Sequence, residues 1–134
     1  MSTPRTILIV EDNALVAKFY RMALERAGGF TCLVTQNVQE MLTQLEAGRV
    51  DLAVLDVSLN ETEWNGRIID GVELGRLLKE RAPRRLPVLL ATAHAMTGDR
   101  ERFIAASGAD DCLEKPIYDP QELVDKVRRL LDRA

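Results

Sequence analysis

Five short apolar runs alternate with longer segments of helical period, and this alternation constrains the fold more than any other feature of the chain. The central runs lack alternation of polar and apolar residues, which is typical of strands buried on both faces. Five strand-helix units predict an α/β fold with one open parallel sheet, right-handed crossovers and helices on both faces. The runs are Ile7 to Val10, Cys32 to Thr35, Leu52 to Leu55, Val88 to Ala91 and the weaker Asp111 to Glu114.

Start and stop signals in the intervening segments predict five helices. Asn37 and Glu40 have capping-box spacing at the start of the second helix, and Asp119 is the expected N-cap of the last. The third helix is predicted from about Gly71 to Arg81, and the fourth near Asp99 to Ala106. The fourth is the least well specified, because it contains few large apolar residues.

Length and charge limit the classes of function. The 134 residues suit one compact domain spanning 1–134, and 46% hydrophobic with 29% charged residues is ordinary for a soluble globular protein. A net charge of −3 without a basic run gives no reason to expect nucleic acid or an anionic membrane as partner. Two cysteines, no leader pattern and no apolar span of about 20 residues favour the cytoplasm.

Polar residues at the predicted strand ends indicate where function lies, because open parallel sheets bind ligands beyond the carboxyl ends of their strands. Glu11 and Asp12 follow the first strand, Asp56 the third, Thr92 the fourth and Lys115 the fifth. No glycine-rich phosphate-binding turn follows the first strand. Three carboxylates in one crevice repel one another unless a hard cation such as Mg²⁺ neutralises them.

The remaining residue types favour phosphoryl chemistry. A lysine ammonium can neutralise phosphate, a threonine hydroxyl can donate to an oxygen that gains charge, and an aspartate can act as nucleophile. A nucleophile-histidine triad is not indicated, because His94 is the only histidine and has no suitable neighbour.

Six segments carry a resemblance to a known family: Ile7 to Asn13, Leu52 to Asp56, Asp70 to Leu74, Leu90 to Ala93, Gly108 to Asp111 and Lys115-Pro116. In this order and at these spacings they resemble the receiver domain of two-component response regulators over nearly the whole chain. The resemblance implies a flavodoxin-like fold with sheet order 2-1-3-4-5, an order carried over from the family. Residues 92–99 are similar to those of stand-alone receivers in cell-cycle and developmental phosphorelays.

The resemblance also implies roles for the strand-end residues. Asp56 would accept phosphate from a histidine kinase or a histidine phosphotransfer protein. Mg²⁺ would bind Asp12, Asp56 and the backbone carbonyl of Ser58, with Glu11 acting through water. Thr92 and Lys115 would contact the phosphoryl group, and the Lys115-Pro116 bond would be cis.

By the same resemblance the chain is a signalling phosphoacceptor and not a conventional enzyme, although it would assist its own phosphorylation and dephosphorylation. Phosphorylation would switch binding to an effector protein through the face formed by the fourth helix, fifth strand and fifth helix.

Two departures from the family pattern stand out. Gly71 lies 15 residues after Asp56, so the loop at about 59–70 is about seven residues longer than usual, and long loops in compact domains are often functional. Trp64 and its neighbours in this loop are candidates to contact a partner or to cover the crevice, although a tolerated insertion is an equal alternative. Cys112 stands where receivers usually carry a switch aromatic, which predicts a smaller movement on activation. His94 is either a residue that controls access of water or a solvated loop residue.

Two rival functions stay open. A pseudo-receiver would keep the fold as an interaction module that phosphorylation does not control. A small phosphatase using Asp56 as its covalent intermediate would need an added acid near the nucleophile, and Ser58 is a poor candidate.

Overall fold

A computed structural model describes residues 3–93 and 96–133. Its main sheet contains five parallel strands in the order β2-β1-β3-β4-β5, which confirms the predicted order 2-1-3-4-5. The strands are β1 (Thr6–Val10), β2 (Thr31–Val34), β3 (Leu52–Asp56), β4 (Val88–Thr92) and β5 (Asp111–Glu114).

Five α-helices, one after each strand, lie at the predicted places. Asn37 accepts a hydrogen bond from the Glu40 N–H at the start of α2, and Asp70 with Glu73 forms a complete capping box at the start of α3. The helices are α1 (Ala14–Met22, continued by a π-helical segment Ala23–Ala27), α2 (Val38–Glu46), α3 (Gly71–Arg81), α4 (Asp99–Ser107) and α5 (Pro120–Asp132).

A hydrophobic core lies on each face of the sheet, as an all-buried central strand requires. Leu8 and Leu55 point into a core shared with α2 and α3, whereas Ile9 and Val54 point into one shared with α1 and α5. Strand β3 is buried along its whole length. The sheet is therefore held from both sides, and its carboxyl edge is a rigid platform for side chains.

The long loop after β3 contains an antiparallel hairpin, Glu63–Trp64 paired with Arg67–Ile68, which the sequence analysis did not predict. Asn65 and Gly66 have φ of 54° and 81°. Positive φ at both central residues is typical of a two-residue type I′ turn, so the Asn-Gly dipeptide was an available signal. Trp64 is partly buried against the α2-α3 core, and the loop is accordingly a folded element.

None of the helices in the described part of the chain is long and apolar enough to cross a membrane.

Candidate functional site

The carboxyl edge of the sheet brings the predicted strand-end residues together. Asp56 is the last residue of β3 and Thr92 the last of β4, and both are buried. Glu11 directly follows β1 and is 4% exposed. Burying two carboxylates at one edge costs free energy unless a cation lies close to them.

Lys115 supplies that positive charge. Its Nζ lies 2.7 Å from Oε1 of Glu11 and 3.6 Å from Oδ1 of Asp56. Burial would lower the pKa of the Lys115 ammonium, but the hydrogen bond to Glu11 and the charge of Asp56 outweigh it, so that the pKa is raised. Lys115 therefore stays protonated at neutral pH, with its charge directed at both carboxylates.

The Glu11 carboxyl responds to the same surroundings. Burial raises its pKa, and the negative charge of Asp56 adds to the rise. Hydrogen bonds from Lys115 and from the Asn13 N–H, at 3.1 Å, oppose this shift in part. The negative charge of the Glu11 carboxylate is therefore unfavourable in the crevice, and a further cation there would stabilise it.

Asp12 lies at the same edge and is held by two residues that the sequence analysis did not single out. Gln36 Nε2 donates to Oδ1 of Asp12 at 3.2 Å, and the backbone N–H of Asn60 donates to Oδ2 at 2.6 Å. Gln36 lies just after β2, and Asn60 lies in the loop after β3. These partners lie 24 and 48 residues from Asp12, so no local pattern indicates them.

The main chain around Asp56 is fixed by hydrogen bonds to β4 and α3. The Val57 N–H donates to the Ala91 carbonyl at 2.9 Å, and the Gly71 N–H donates to the Val57 carbonyl at 3.0 Å. The Ser58 N–H donates to Oδ1 of Asp56 at 3.3 Å. The Ser58 carbonyl, which was predicted to bind Mg²⁺, therefore belongs to a segment that is hydrogen-bonded to the Asp56 side chain.

A hard divalent cation fits the chemistry of these donors. Among residues 3–93 and 96–133, no group of three or more acidic, histidine or cysteine side chains is arranged to enclose a metal ion. Mg²⁺ does not need such a cage, since proteins usually bind it through one or two carboxylates and it keeps several waters. Asp12 and Asp56, with a main-chain carbonyl nearby, provide oxygen donors of that kind.

Strands β4 and β5 are joined at the site by the main chain, since the Lys115 N–H donates to the Thr92 carbonyl at 2.7 Å. The Lys115-Pro116 peptide bond is cis, as the resemblance implies. His94 lies outside the described residues.

The remaining candidates, Cys112 and Trp64, make no described hydrogen bond to Asp12, Asp56 or Lys115. Cys112 is buried in β5, and Arg100 of α4 donates to its carbonyl oxygen at 2.8 Å. Asp111 beside it pairs with Arg100 and also with Lys126 of α5, at 2.9 Å. Trp64 lines a cleft of about 370 Å³ between the hairpin and the start of α2, which Gln36 also lines.

The sequence matches the family model of the response regulator receiver domain over residues 7–128. The chain therefore belongs to the response regulator receiver family, the signalling proteins of two-component systems.

Two named relatives show different lengths. Over 119 residues the chain is 36% identical to the polar-differentiation response regulator DivK of Brucella anthropi, covering 88% of this chain and 89% of that protein. It is also 33% identical over 131 residues to the phosphate regulon transcriptional regulatory protein PhoB of Pseudomonas aeruginosa. That match covers 97% of this chain but only 53% of PhoB.

Solved structures agree on the fold. A response regulator described as putative, from Chloroflexus aurantiacus, superposes with a TM-score of 0.79 at 32% identity, covering 98% of this chain and 100% of that one. A CheY-like receiver domain protein from Methanospirillum hungatei gives a TM-score of 0.78 at 24% identity, covering 98% and 96%. The latter likeness concerns the fold alone.

Proposed function

We propose that residues 1–134 act as one phosphoacceptor receiver domain in a phosphorelay, with Asp56 as the residue that receives the phosphoryl group. The observation that carries the proposal is Lys115, whose ammonium lies 3.6 Å from Asp56 Oδ1. A carboxylate fixed at a strand end beside a permanent positive charge is suited to receive and hold a phosphoryl group.

In the proposed reaction a carboxylate oxygen of Asp56 forms a bond to phosphorus while the bond from phosphorus to the donor's imidazole nitrogen breaks. The imidazole keeps the electron pair and takes up a proton. Lys115 neutralises charge on the transferring group, and the Thr92 hydroxyl donates to one of its oxygens. Positioning and charge neutralisation supply most of the catalysis in such transfers.

Asp12, Asp56 and the Ser58 carbonyl would hold Mg²⁺, with Glu11 acting through water. When bound, Mg²⁺ neutralises negative charge on the phosphoryl oxygens. Hydrolysis of the acyl phosphate, slow and assisted by the domain itself or by a phosphatase, returns Asp56 to the carboxylate and releases inorganic phosphate.

The proposed partners are proteins. A histidine kinase or histidine phosphotransfer protein donates the phosphoryl group in the cytoplasm, and an effector binds the face of α4, β5 and α5. Neither nucleic acid nor membrane is needed for this function. The similarity to a DivK regulator over 89% of that protein's length supports a role carried by the receiver alone.

Cys112 and Asp111 bear on how that face responds. Cys112 has no ring that can change position, and the ion pairs of Asp111 join α4 to α5 across the start of β5. A small movement transmitted through Thr92 fits this arrangement, and His94 is retained as a candidate from the sequence alone. Trp64 is retained as a candidate partner contact beside the crevice.

A second candidate is the pseudo-receiver that phosphorylation does not control. Cys112 favours it, because a cysteine has no ring that can change position on activation. The long loop, folded as a hairpin after β3, would then serve as a contact surface of an interaction module.

Incubation with acetyl phosphate and Mg²⁺, followed by intact-mass detection, distinguishes the phosphoacceptor receiver from the pseudo-receiver. The native chain is expected to gain one phosphoryl mass, which EDTA prevents. Asp56→Ala should gain none, whereas the matched control Asp125→Ala, altered at an exposed position of α5, should behave as the native chain. A folded native chain that gains no mass under these conditions would refute the phosphoacceptor function and favour the pseudo-receiver.

A further inference from the structure

The carboxylate of Asp12 is held in one orientation by two donors from different parts of the chain. The Gln36 side-chain amide reaches Oδ1 at 3.2 Å, and the Asn60 backbone N–H reaches Oδ2 at 2.6 Å. A carboxylate rotates readily about its Cβ–Cγ bond when it has one partner or none. One donor on each oxygen fixes the plane of the group.

Each donor is itself anchored. Gln36 Nε2 also lies 3.4 Å from the Glu11 carbonyl oxygen, so the amide bridges the main chain and side chain of neighbouring residues. Asn60 precedes the hairpin, whose base is closed by the Ile69 N–H donating to the Thr62 carbonyl at 2.9 Å. Thr62 is completely buried. The inserted hairpin therefore holds the Asn60 N–H in place.

The two hydrogen bonds leave room for a cation. An ionised carboxylate has about four lone-pair sites on its two oxygens, and the two donors occupy one on each. A cation can then use a remaining site without displacing Gln36 or Asn60. Hydrogen bonds that orient metal-binding carboxylates typically change metal affinity by about 10-fold to 100-fold when they are removed.

We propose that Gln36 and the Asn60 backbone N–H form an Asp12 clamp, a pair of positioning groups that orient Asp12 for a divalent cation. This inference rests on the proposed function, since it needs Mg²⁺ at Asp12 and Asp56. It gives the long loop a specific purpose, namely to deliver a backbone donor to a metal-binding carboxylate.

Mg²⁺ titration of the unphosphorylated full chain tests the clamp without any phosphoryl transfer. Trp64 is the only tryptophan and lines the same cleft as Gln36, so its fluorescence reports on this region, with calorimetry as a second measure of affinity. Gln36→Met keeps the length of the side chain but removes the amide donor. We expect it to weaken Mg²⁺ binding about 10-fold.

Gln39→Met is the matched control, because Gln39 lines the same cleft but is exposed and does not contact Asp12 through a described hydrogen bond. It should bind Mg²⁺ as the native chain does. Melting temperatures in EDTA should be the same for native, Gln36→Met and Gln39→Met, which separates a loss of orientation from a loss of folding.

The backbone donor is tested by a second pair of variants. Asn60→Ala keeps the N–H and should leave Mg²⁺ affinity unchanged, whereas Asn60→Pro removes the N–H and should weaken it. Native-like or tighter Mg²⁺ binding by Gln36→Met would overturn the clamp while leaving the proposed function intact. A folded native chain that binds no Mg²⁺ would overturn both.

Discussion

Replacing Gly71 is expected to destabilise the fold, because α3 begins directly against the main chain that carries Asp56. A Cβ atom on Gly71 would lie 2.7 Å from the Asp56 carbonyl carbon and 3.0 Å from the Val57 Cα, with the Asp56 carbonyl oxygen nearer still. All of these neighbours are backbone atoms. Relief cannot come from rotating a side chain, so the helix and the β3 loop must move apart.

The size of the effect follows from these distances. Ordinary contact begins near 3.4 Å, so the Asp56 carbonyl carbon alone requires a backbone shift of about 0.7 Å, and the nearer carbonyl oxygen requires a larger one. Overpacking of this kind costs about 1–3 kcal/mol. The shift also disturbs the Gly71 N–H bond to the Val57 carbonyl, worth about 1 kcal/mol. The helix propensity of alanine returns up to about 1 kcal/mol. We expect a net loss of about 1–3 kcal/mol.

Gly75 in the same helix provides the matched control. A Cβ there would meet the Ser107 Cβ at 3.4 Å, a Leu55 methyl at 3.6 Å and a Val88 methyl at 3.7 Å, all ordinary contacts. Gly75→Ala should therefore be neutral or stabilising by about 0.5–1 kcal/mol, because glycine within a helix is unfavourable.

Urea unfolding followed by circular dichroism measures both variants. With a slope of about 2 kcal/mol/M, the Gly71→Ala midpoint should fall by about 0.5–1.5 M, whereas that of Gly75→Ala should stay or rise. Equal midpoints for Gly71→Ala and native protein would refute the close approach of α3 to Asp56. The comparison with Gly75→Ala removes helix propensity as an explanation.

Two further predictions concern buried polar groups. Burial would raise the pKa of the Asp111 carboxyl, but hydrogen bonds from Lys126, the Cys112 N–H and Arg100 outweigh it and hold the pKa below its usual range. Asp111 therefore stabilises the fold above the unfolded pKa of about 4 and loses this effect as pH falls through its lower folded value. Asp111→Asn should cost about 1–2 kcal/mol at pH 7 in urea unfolding, a deficit that shrinks below about pH 4; a deficit independent of pH would contradict the ion pairs. The Thr62 hydroxyl is completely buried, and no described residue bonds to it. The isosteric Thr62→Val should raise the free energy of unfolding by about 1 kcal/mol, and a lower urea midpoint would show that the hydroxyl has a partner.

The strands and helices of the main sheet could be predicted because each depends on a pattern of neighbouring residues. Strand β3 is a continuous apolar run, and α5 begins with an N-cap aspartate followed by proline, so each could be recognised within a few residues. The family resemblance supplied the sheet order. The hairpin after β3 was missed although the Asn65-Gly66 signal was present, because its strands contain only two residues each.

The sequence by itself determined which residues reach the functional edge, since parallel strands all end there and Asp56, Thr92 and Lys115 lie at or just beyond strand ends. Only the tertiary structure decided what those residues contact. Glu11 and Lys115 are 104 positions apart in the sequence, and Asp12 and Asn60 are 48 apart. Packing of the whole sheet and the inserted hairpin brings each pair together. The orientation of the Asp12 carboxylate depends on donors from distant segments of the chain. Hydrophobic periodicity reports only on neighbouring residues, so it cannot predict these donors.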